Sequence, residues 1–420
     1  MKGILQAASL IEATAERFGD RIRASVCSLL RWLTAAWLAT AVAACGGGGS
    51  SSSQQTATEL SPAAALGEKI FSDATLSASG QLACATCHNP AHAHATGNPD
   101  IVVPAGGPAL ATPGFRKAPS LRYLNLTPAF FFAKDGTPTG GFNRDGRANS
   151  LIDQAQRPFL AAHEMANGTP DQVIAKLRAA PYVEEFRAVF GAGILDTPDA
   201  AFDRMRFALA QYQLEDSEFH RFDSKYDLFL AGQAQLTARE LQGLALFNNP
   251  NKGNCAACHP SGRGADGSPP LFTDFTYDNI GVPRNVAIPA NADPAYFDLG
   301  LCGPFRTDLA QRTDLCGAFK VPTLRNVALT APYFHNGRFK TLKEALGFYV
   351  RRDTNPEEWY PTNPGGSVSK FDDLPPQYHG NVNVTEVPYN RKPGEAPALN
   401  PDEIDLVIEF LNTLTDGYQP

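Results

Sequence analysis

The sequence predicts a mainly α-helical protein of two similar domains, with long ordered loops and few short strands. The first observation behind this prediction is a repeat: segments that begin at Leu66 and Leu241 each read as a helix with a glycine and a Phe, then a loop, then Cys-x-x-Cys-His. The second is a set of clear helix-start signals, and the third is a scarcity of alternating strand patterns. A chain of 420 residues can hold more than one core. We expect one domain over residues 60–225 and another over residues 226–420.

The helix starts are marked by side chains that can accept hydrogen bonds from free backbone amides. Thr237 with Glu240, and Thr341 with Glu344, have the spacing of a capping box. Two further starts pair a capping side chain with a proline at the first helical position: Ser61 with Pro62, and Asn400 with Pro401. The last of these helices carries one apolar stripe, which consists of Ile404, Val407, Ile408, Leu411 and Leu414.

Two long stretches, residues 96–120 and 260–320, are rich in Pro, Gly, Asn and Asp. Loops of this length are uncommon in compact domains unless something other than helices and strands contributes to the core. A large apolar cofactor would make that contribution.

The composition is that of an ordinary globular protein, with 43% hydrophobic and 19% charged residues. The formal net charge is −7, and the sequence contains no basic cluster. Both features argue against a nucleic-acid partner.

The first 45 residues predict an export signal, because Arg31 precedes a short apolar run that ends in small residues before Cys45. The letters VAAC resemble a bacterial lipobox, whose cysteine is lipidated after cleavage; an ordinary signal with an incidental cysteine is the alternative. Residues 46–59 form a flexible Gly/Ser-rich tether. We expect a protein on the periplasmic side of the bacterial envelope, anchored to the outer surface of a membrane through Cys45.

An oxidising compartment also bears on Cys302 and Cys316, which flank a short loop. We expect these two cysteines to form a disulfide, and two free buried thiols are the alternative.

The repeated motifs are the strongest chemical signal in the chain. Each matches the attachment signature of a c-type haem, in which two thiols reach the haem vinyl groups and the adjacent imidazole binds the iron. The residues are Cys84, Cys87 and His88 in the first motif, and Cys255, Cys258 and His259 in the second. We therefore expect two cytochrome c-like haem domains. A zinc site built from both cysteine pairs, or a disulfide in each pair, is the alternative.

The ligand on the second face of each iron determines what the haem does. The methionines are Met1, Met165 and Met205, so no thioether follows the second motif. His335, Tyr349 and His379 remain as candidates for the second haem. Tyr349 shares the inner face of the helix that starts after Thr341, where a packed core tyrosine is the ordinary interpretation.

At this point the chain resembles the bacterial di-haem cytochrome c peroxidases and their MauG-like relatives. The resemblance spans residues 60–415. It is carried by the segments LSASGQLACATCHNP, RKAPSL, RDGRANSLIDQAQRPFLAAHEM, FKVPTLRNVALTAPYFHNG and LNPDEIDLVIEFLNTL.

The resemblance implies specific roles on the C-terminal haem. Tyr349 takes the place of a methionine ligand of the peroxidases, and MauG-like proteins have a tyrosine there. The resemblance therefore implies that Tyr349 is the sixth ligand opposite His259, with His335 nearby.

On the N-terminal haem the resemblance implies that Glu164 is the acid/base that moves a proton between the peroxide oxygens. From the residues alone Glu164 would be a solvated or capping side chain. Arg147 would lie in the same region, where a structural ion pair is an equally good interpretation. His92 and His94 are candidates for the second face of this iron, but they lie too close to His88 in the chain to reach across it. The histidine that closes this haem in the resting state of the family has no counterpart here. We expect this haem to be five-coordinate.

Two positions depart from the family pattern. Arg144 stands where the family has a tryptophan between the haems, and Trp32, Trp37 and Trp359 lie elsewhere, which weighs against long-range radical transfer of the MauG kind. The family's calcium site uses backbone oxygens that match Thr330 and Pro332, together with an asparagine whose place is taken by Lys117. The resemblance allows calcium as a cofactor at this site.

These observations lead to one principal functional prediction and two alternatives. The principal one is a di-haem peroxidase that reduces hydrogen peroxide to water at the N-terminal haem, with electrons from a small cytochrome c, a cupredoxin or another donor entering through the C-terminal haem. The first alternative is a MauG-like oxidase that modifies a protein or a small organic substrate. The second is a non-catalytic electron-transfer protein.

Overall fold

The computed structural model describes residues 59–420. The expected export signal, Cys45 and the tether up to residue 58 lie outside the described residues. Over the described part the fold is mostly helical with a few short strands, which confirms the predicted class. Within residues 59–420 no helix is long and apolar enough to cross a bilayer.

Eleven α-helices lie in this part of the chain. They are α1 (Pro62–Ser72), α2 (Cys84–Cys87), α3 (Leu151–Gln154), α4 (Gln156–Leu160), α5 (Pro170–Leu177), α6 (Val183–Phe190), α7 (Pro198–Glu215), α8 (Lys225–Leu230), α9 (Ala238–Asn248), α10 (Leu342–Arg351) and α11 (Pro401–Asn412). The strands form three antiparallel pairs: β1 (Ala105–Gly106) with β2 (Thr112–Pro113), β3 (Phe131–Phe132) with β4 (Pro138–Thr139), and β5 (Tyr277–Asp278) with β6 (Phe319–Lys320).

The four predicted helix starts are confirmed. The side chains of Thr237 and Thr341 accept hydrogen bonds from the amides of Glu240 and Glu344, so both capping boxes form. Ser61 and Asn400 cap α1 and α11 in the same way, each followed by proline. These side chains satisfy amides that have no partner within their own helix.

The apolar core of residues 59–420 is divided into separate clusters. One draws its buried residues from the stretch between Leu66 and Phe219, mainly from α1, α4, α5, α6 and α7. A second draws them from the stretch between Tyr226 and Leu414, mainly from α8 to α11, and includes the predicted stripe of α11. A smaller cluster, which includes Phe348, draws its buried residues from the stretch between Val282 and Val382.

Two glycines let helices cross at very short range. A Cβ atom on Gly67 of α1 would lie 2.0 Å from the carbonyl oxygen of Ala208 in α7, and one on Gly243 of α9 would lie 2.1 Å from that of Leu406 in α11. No side chain fits at such a separation. The repeated helix–glycine–Phe pattern therefore corresponds to the same kind of helix crossing in both halves of the described chain.

The long loops are ordered by specific bonds. Cys302 and Cys316 form a disulfide, which confirms the predicted pairing and closes a loop that carries Phe305. Arg306 in the same loop donates to the backbone oxygen of Asp145 at 2.9 Å. This loop from the C-terminal half of the chain is thereby fastened to the N-terminal half.

Substitution of either crossing glycine tests this packing. Gly67→Ala and Gly243→Ala should each lower the free energy of unfolding by about 1–3 kcal/mol, because the added methyl group pushes two helices apart and this cost exceeds the gain in helix propensity. The measurement is chemical denaturation followed by circular dichroism. Gly365→Ala is the control, since a Cβ there meets no atom within 4 Å. Unchanged midpoints for both helix variants would show that the crossings are not this tight.

Candidate haem sites

The first motif lines a cavity of about 200 Å³ in the N-terminal half. Cys84 and Cys87 begin and end α2, and His88 caps its C-terminus. The cavity wall also includes Glu164 and, from the disulfide-closed loop, Phe305. Residues from distant parts of the chain thus complete this site.

Backbone oxygens fix the orientation of His88. Its Nδ1 atom lies 3.1 Å from the carbonyl oxygen of His94 and 3.0 Å from that of Pro119. A carbonyl oxygen only accepts, so Nδ1 carries the proton and Nε2 is left as a free donor to a metal. Burial lowers the pKa of the imidazole, which keeps it in the neutral form that binds iron.

The two thiols of the first motif are unbonded and neutral. Burial raises the pKa of Cys84 to about 12 and that of Cys87 to about 11. The structure therefore contains no disulfide in this pair, and the thiols are available for thioether attachment.

Glu164 lies in the turn that follows α4. Its backbone amide donates to the oxygen of Ala161 at 2.9 Å, and its own carbonyl accepts from Gly107, next to β1, at 2.9 Å. Gly106 approaches so closely that a Cβ there would be 2.5 Å from the Glu164 oxygen. The strand pair β1–β2 thus holds the backbone of Glu164 at the edge of the cavity.

The Glu164 carboxyl group has unusual electrostatics. Its Oε2 atom is buried without a hydrogen-bond partner among the described residues. Burial raises the pKa of this carboxyl group, and the charges of Arg147 and Arg157 oppose the rise. Arg147 forms the structural ion pair that the sequence allowed, with Asp145 at 2.7 Å. It also lines the same cavity as Glu164.

Two residues beside Glu164 also line this cavity, and the sequence analysis assigned neither to it. The His163 ring packs edge-on against Phe115 at 5.0 Å, and its Nε2 atom is 3.7 Å from Oε1 of Glu164. Met165 is buried in the first core cluster. The sequence feature that could have predicted both residues is their position on either side of Glu164 in the segment HEM.

His92 and His94 do not line either cavity. The ring of His94 is buried and stacks on Phe219 at a centroid distance of 4.1 Å. Its contribution to the site is its backbone oxygen, which accepts from His88.

The second motif lines a larger cavity of about 320 Å³ in the C-terminal half. The Nδ1 atom of His259 donates to the backbone oxygen of Phe272 at 2.7 Å, so here too Nε2 is free. Burial raises the pKa values of Cys255 and Cys258 to about 12, and both thiols are unbonded. The second site repeats the arrangement of the first.

Tyr349 and His335 both line the second cavity, whereas His379 does not. Tyr349 lies on α10, shares the second core cluster with Leu346 and has Tyr389 beside it at a ring distance of 6.1 Å. Burial raises the pKa of the Tyr349 phenol, and the thiols of the motif add to the rise.

The two histidine candidates for the second haem differ in their surroundings. His335 is buried and stacks flat on Phe319 at 3.7 Å. Burial lowers its pKa to about 3. His379 instead donates from Nε2 to the backbone oxygen of Leu374 at 2.9 Å.

The two cavities share part of their walls. Arg144 and Lys117 line both of them, and Arg144 therefore stands between the two sites as the sequence analysis expected. Among the described residues no tryptophan lines either cavity, and Trp359 packs instead against Phe339 and Phe348.

The cysteine pairs do not build a zinc site. Each pair lines its own cavity, and residues 59–420 contain no group of three or more His, Cys, Asp or Glu side chains placed to hold a metal ion. Each cavity instead combines two neutral thiols, one imidazole with a free Nε2 and apolar walls. These residues fit a covalently attached haem, and the fold and its two sites define a di-haem protein of the c type.

Comparison with known proteins gives the family. A family model for di-haem cytochrome c peroxidase matches residues 61–235. The methylamine utilization protein MauG of Paracoccus denitrificans is 37% identical over 380 residues, which cover 87% of this chain and 92% of the relative. The cytochrome c551 peroxidase of Pseudomonas aeruginosa is 33% identical over 284 residues, which cover 67% of this chain and 69% of the relative.

Solved structures agree with this result. The diheme peroxidase BthA from Burkholderia thailandensis superposes with a TM-score of 0.77 and 38% identity, covering 85% of this chain and 87% of that one. This chain belongs to the di-haem cytochrome c peroxidase and MauG family and is an oxidoreductase. The family implies two c-type haems.

The residues that correspond to the family's calcium site do not fit a calcium ion here. The Lys117 amino group is buried and donates to the backbone oxygen of Thr330 at 2.5 Å. That oxygen is one of those expected to bind the ion. Arg144 adds a second positive charge close by. A divalent cation would have to displace the Lys117 amino group from Thr330 and would meet the positive charge of Arg144, instead of the oxygen ligands that it prefers.

This replacement predicts a protein that does not depend on calcium. Exhaustive treatment with EGTA should leave the optical and EPR spectra of both haems unchanged, because the Lys117 amino group already occupies the Thr330 oxygen. Elemental analysis of the purified protein should find iron without stoichiometric calcium. One calcium ion per chain that survives dialysis, or a spectral change that calcium reverses, would contradict this assignment.

Proposed function

We propose that this protein is a di-haem peroxidase that reduces hydrogen peroxide to water in the cavity of His88. The observation that carries the proposal is Glu164, whose unpartnered carboxyl oxygen lines the cavity that also holds the first haem motif. The proposal includes two haem domains, and support for it comes from the repeated motif, the repeated glycine crossing and the divided core.

Glu164 is the residue that moves the proton. When bound, the haem of the first cavity supplies an iron that binds peroxide and passes electrons to it. Oε2 of Glu164 takes the proton from one peroxide oxygen and returns it to the other, which leaves as water. Two electrons and two protons are consumed for each peroxide, and two waters are formed.

The open face of the first iron is part of the proposal. Candidates that could close it are His163 and Met165, and each has another contact. His163 packs on Phe115, and Met165 is 4% exposed within the first core cluster. These contacts account for the positions of both side chains, so neither is needed as a ligand of the first iron.

For the second haem we propose His259 and Tyr349 as the two iron ligands. Tyr349 lies close enough to Cys255 and Cys258 that ionisation of either thiol would raise the pKa of its phenol further. His335, by contrast, is held flat against Phe319, and its charged neighbours are Arg116, Arg144 and Asp298 near the shared wall. An anionic phenolate ligand stabilises the ferric state, so this haem should have a low reduction potential.

The electron donor and the location of the protein are also proposals. A small cytochrome c, a cupredoxin or another donor would deliver electrons through the second haem. The chain would work on the periplasmic side of the bacterial envelope, tethered to a membrane surface through Cys45. The apolar run before Cys45 and the Gly/Ser-rich stretch after it support this placement.

A second candidate function is favoured by the tyrosine and by the MauG relative. In this alternative the protein oxidises a protein or a small organic substrate, as a MauG-like enzyme would. The similarity to MauG of Paracoccus denitrificans covers 87% of the chain, which supports it. Arg144 at the shared wall weighs against it, because a guanidinium group is a poor relay for an aromatic radical.

EPR and optical spectra of the ferric protein, before and after one equivalent of hydrogen peroxide, separate these functions from simple electron transfer. A high-spin signal that disappears on addition supports an open, reactive first haem. Two low-spin signals that do not respond would overturn the proposal and leave an electron-transfer protein. Product analysis with reducing donors then separates the peroxidase from the oxidase.

Glu164→Gln should lower peroxide turnover by about 100- to 10,000-fold, because the amide cannot carry the proton. The raised pKa of Glu164 keeps the carboxyl group protonated to a higher pH than usual, and only its ionised form accepts a proton. Wild-type kcat/KM for peroxide should therefore fall as the pH drops through that pKa.

Stopped-flow kinetics across pH measures both effects. The variant should retain both haems and lose the acidic limb of the profile, while Glu357→Gln, an exposed carboxyl group outside both cavities, should behave as the wild type. Undiminished turnover in Glu164→Gln would remove Glu164 from the mechanism.

Tyr349→Phe should change the optical and EPR spectra of the second haem and leave those of the first haem intact, because it removes one ligand oxygen from a single site. Tyr389→Phe is a matched control, since it removes a phenol from the same cavity. Spectra that respond to Tyr389→Phe but not to Tyr349→Phe would transfer the ligand role to Tyr389. No response to either would leave His335 as the candidate.

A further inference from the structure

Three basic side chains in the walls of the haem cavities lack a carboxylate partner among the described residues. Lys117, Arg144 and Lys320 form no ion pair with any described residue, although all three line cavity walls. Lys117 and Lys320 donate to the backbone oxygens of Thr330 and Gly141, each at 2.5 Å. The side chain of Arg144 makes no hydrogen bond with a described residue, and its Nε atom is buried.

Nearby carboxylates are already paired. Asp298 accepts two hydrogen bonds from Arg116 at 2.6 and 2.7 Å. Asp145 accepts from Arg116 and Arg147, each at 2.7 Å. Both acids are nearly inaccessible to solvent. They offset the charges of Arg144 and Lys320 only in part, since burial still lowers the pKa values of both groups.

An uncompensated cluster of buried cations is costly in this environment. Burial lowers the pKa of Lys117 well below its usual range, that of Lys320 to about 8 and that of Arg144 to about 10. The charge of Arg144 lowers the pKa values of Lys117 and Lys320 further. An anion placed among these groups would reverse the effect, so the cluster is built to receive negative charge.

The cavities that these basic side chains line indicate which molecule supplies the negative charge. Lys117 and Arg144 line both cavities, whereas Lys320 lines the second one alone. Each haem carries two propionate carboxylates, and a guanidinium group binds carboxylates through paired hydrogen bonds.

We propose that Arg144, Lys117 and Lys320 form a carboxylate-binding site for haem propionates, with Arg144 serving both haems. The inference rests on the proposed occupation of both cavities by haem, but not on the reaction that follows. In this arrangement a cation occupies the wall between the haems, and it couples them electrostatically. Positive charge near an iron favours its reduced state, so the cluster raises both reduction potentials.

Spectroelectrochemistry of the holoprotein tests the proposal through the midpoint potentials of the two haems. Arg144→Gln should shift both potentials to more negative values, and Lys320→Met should shift only that of the second haem. Arg144→Lys keeps the charge and should retain most of the wild-type potentials. Arg312→Gln is the control, because this arginine is 44% exposed and pairs with Asp314 away from both cavities.

Resonance Raman spectra of the same samples separate direct contact from a general charge effect. The propionate bending bands should shift in Arg144→Gln and stay in place in Arg312→Gln. Unchanged potentials in Arg144→Gln, or altered potentials with unmoved propionate bands, would overturn the proposal. If Arg144→Gln fails to mature with two haems, Lys320→Met decides the matter by whether it shifts the second haem alone.

These readouts do not depend on turnover. A protein without peroxidase activity can still show the propionate contacts, and an active peroxidase can lack them. The failure of this inference is therefore distinguishable from the failure of the proposed function.

Discussion

The hydrogen bonds from Nδ1 of His88 and His259 to backbone oxygens are the constraint on which both sites depend. Each bond selects the imidazole tautomer and turns Nε2 away from the chain. Two of the acceptors, Pro119 and Phe272, lie in the long loops, so these bonds connect the loops to the haem motifs. In this protein the loops help to orient the imidazole rings that would bind the haem irons.

The two cavities contain the same haem motif and differ in one chemically important side chain. Near each motif there are two buried thiols and an oriented imidazole. Besides the motif, the first cavity contains Glu164 and the second contains Tyr349. A carboxyl group that exchanges protons suits a site of chemistry, whereas a phenol suits a closed iron that exchanges electrons. The proposed division of labour follows from this difference on an otherwise repeated plan.

The sequence predicted the parts of the structure that depend on local chemistry. Helix starts at Ser61, Thr237, Thr341 and Asn400 were predictable because capping is decided within a few residues. The family resemblance assigned Glu164 and Tyr349. Sequence reasoning missed His163 and the proposed role of Lys320, because His163 lies in a turn and Lys320 in a two-residue strand, and neither element is long enough to show a periodic pattern. It also allowed calcium where the Lys117 side chain reaches Thr330 across 213 positions of the chain.

The glycine crossings suggest how such a chain is put together. Gly67 and Gly243 each bring two helices into backbone contact just before a haem motif. The partner of each crossing, Ala208 in α7 or Leu406 in α11, lies far beyond the motif, so a gene duplication would have to copy the whole half of the chain to preserve it. After copying, the helices are locked by backbone contact, whereas the loops that reach across the cavity are free to acquire new side chains. Two copies of one scaffold can in this way diverge in function without either losing its place in the fold.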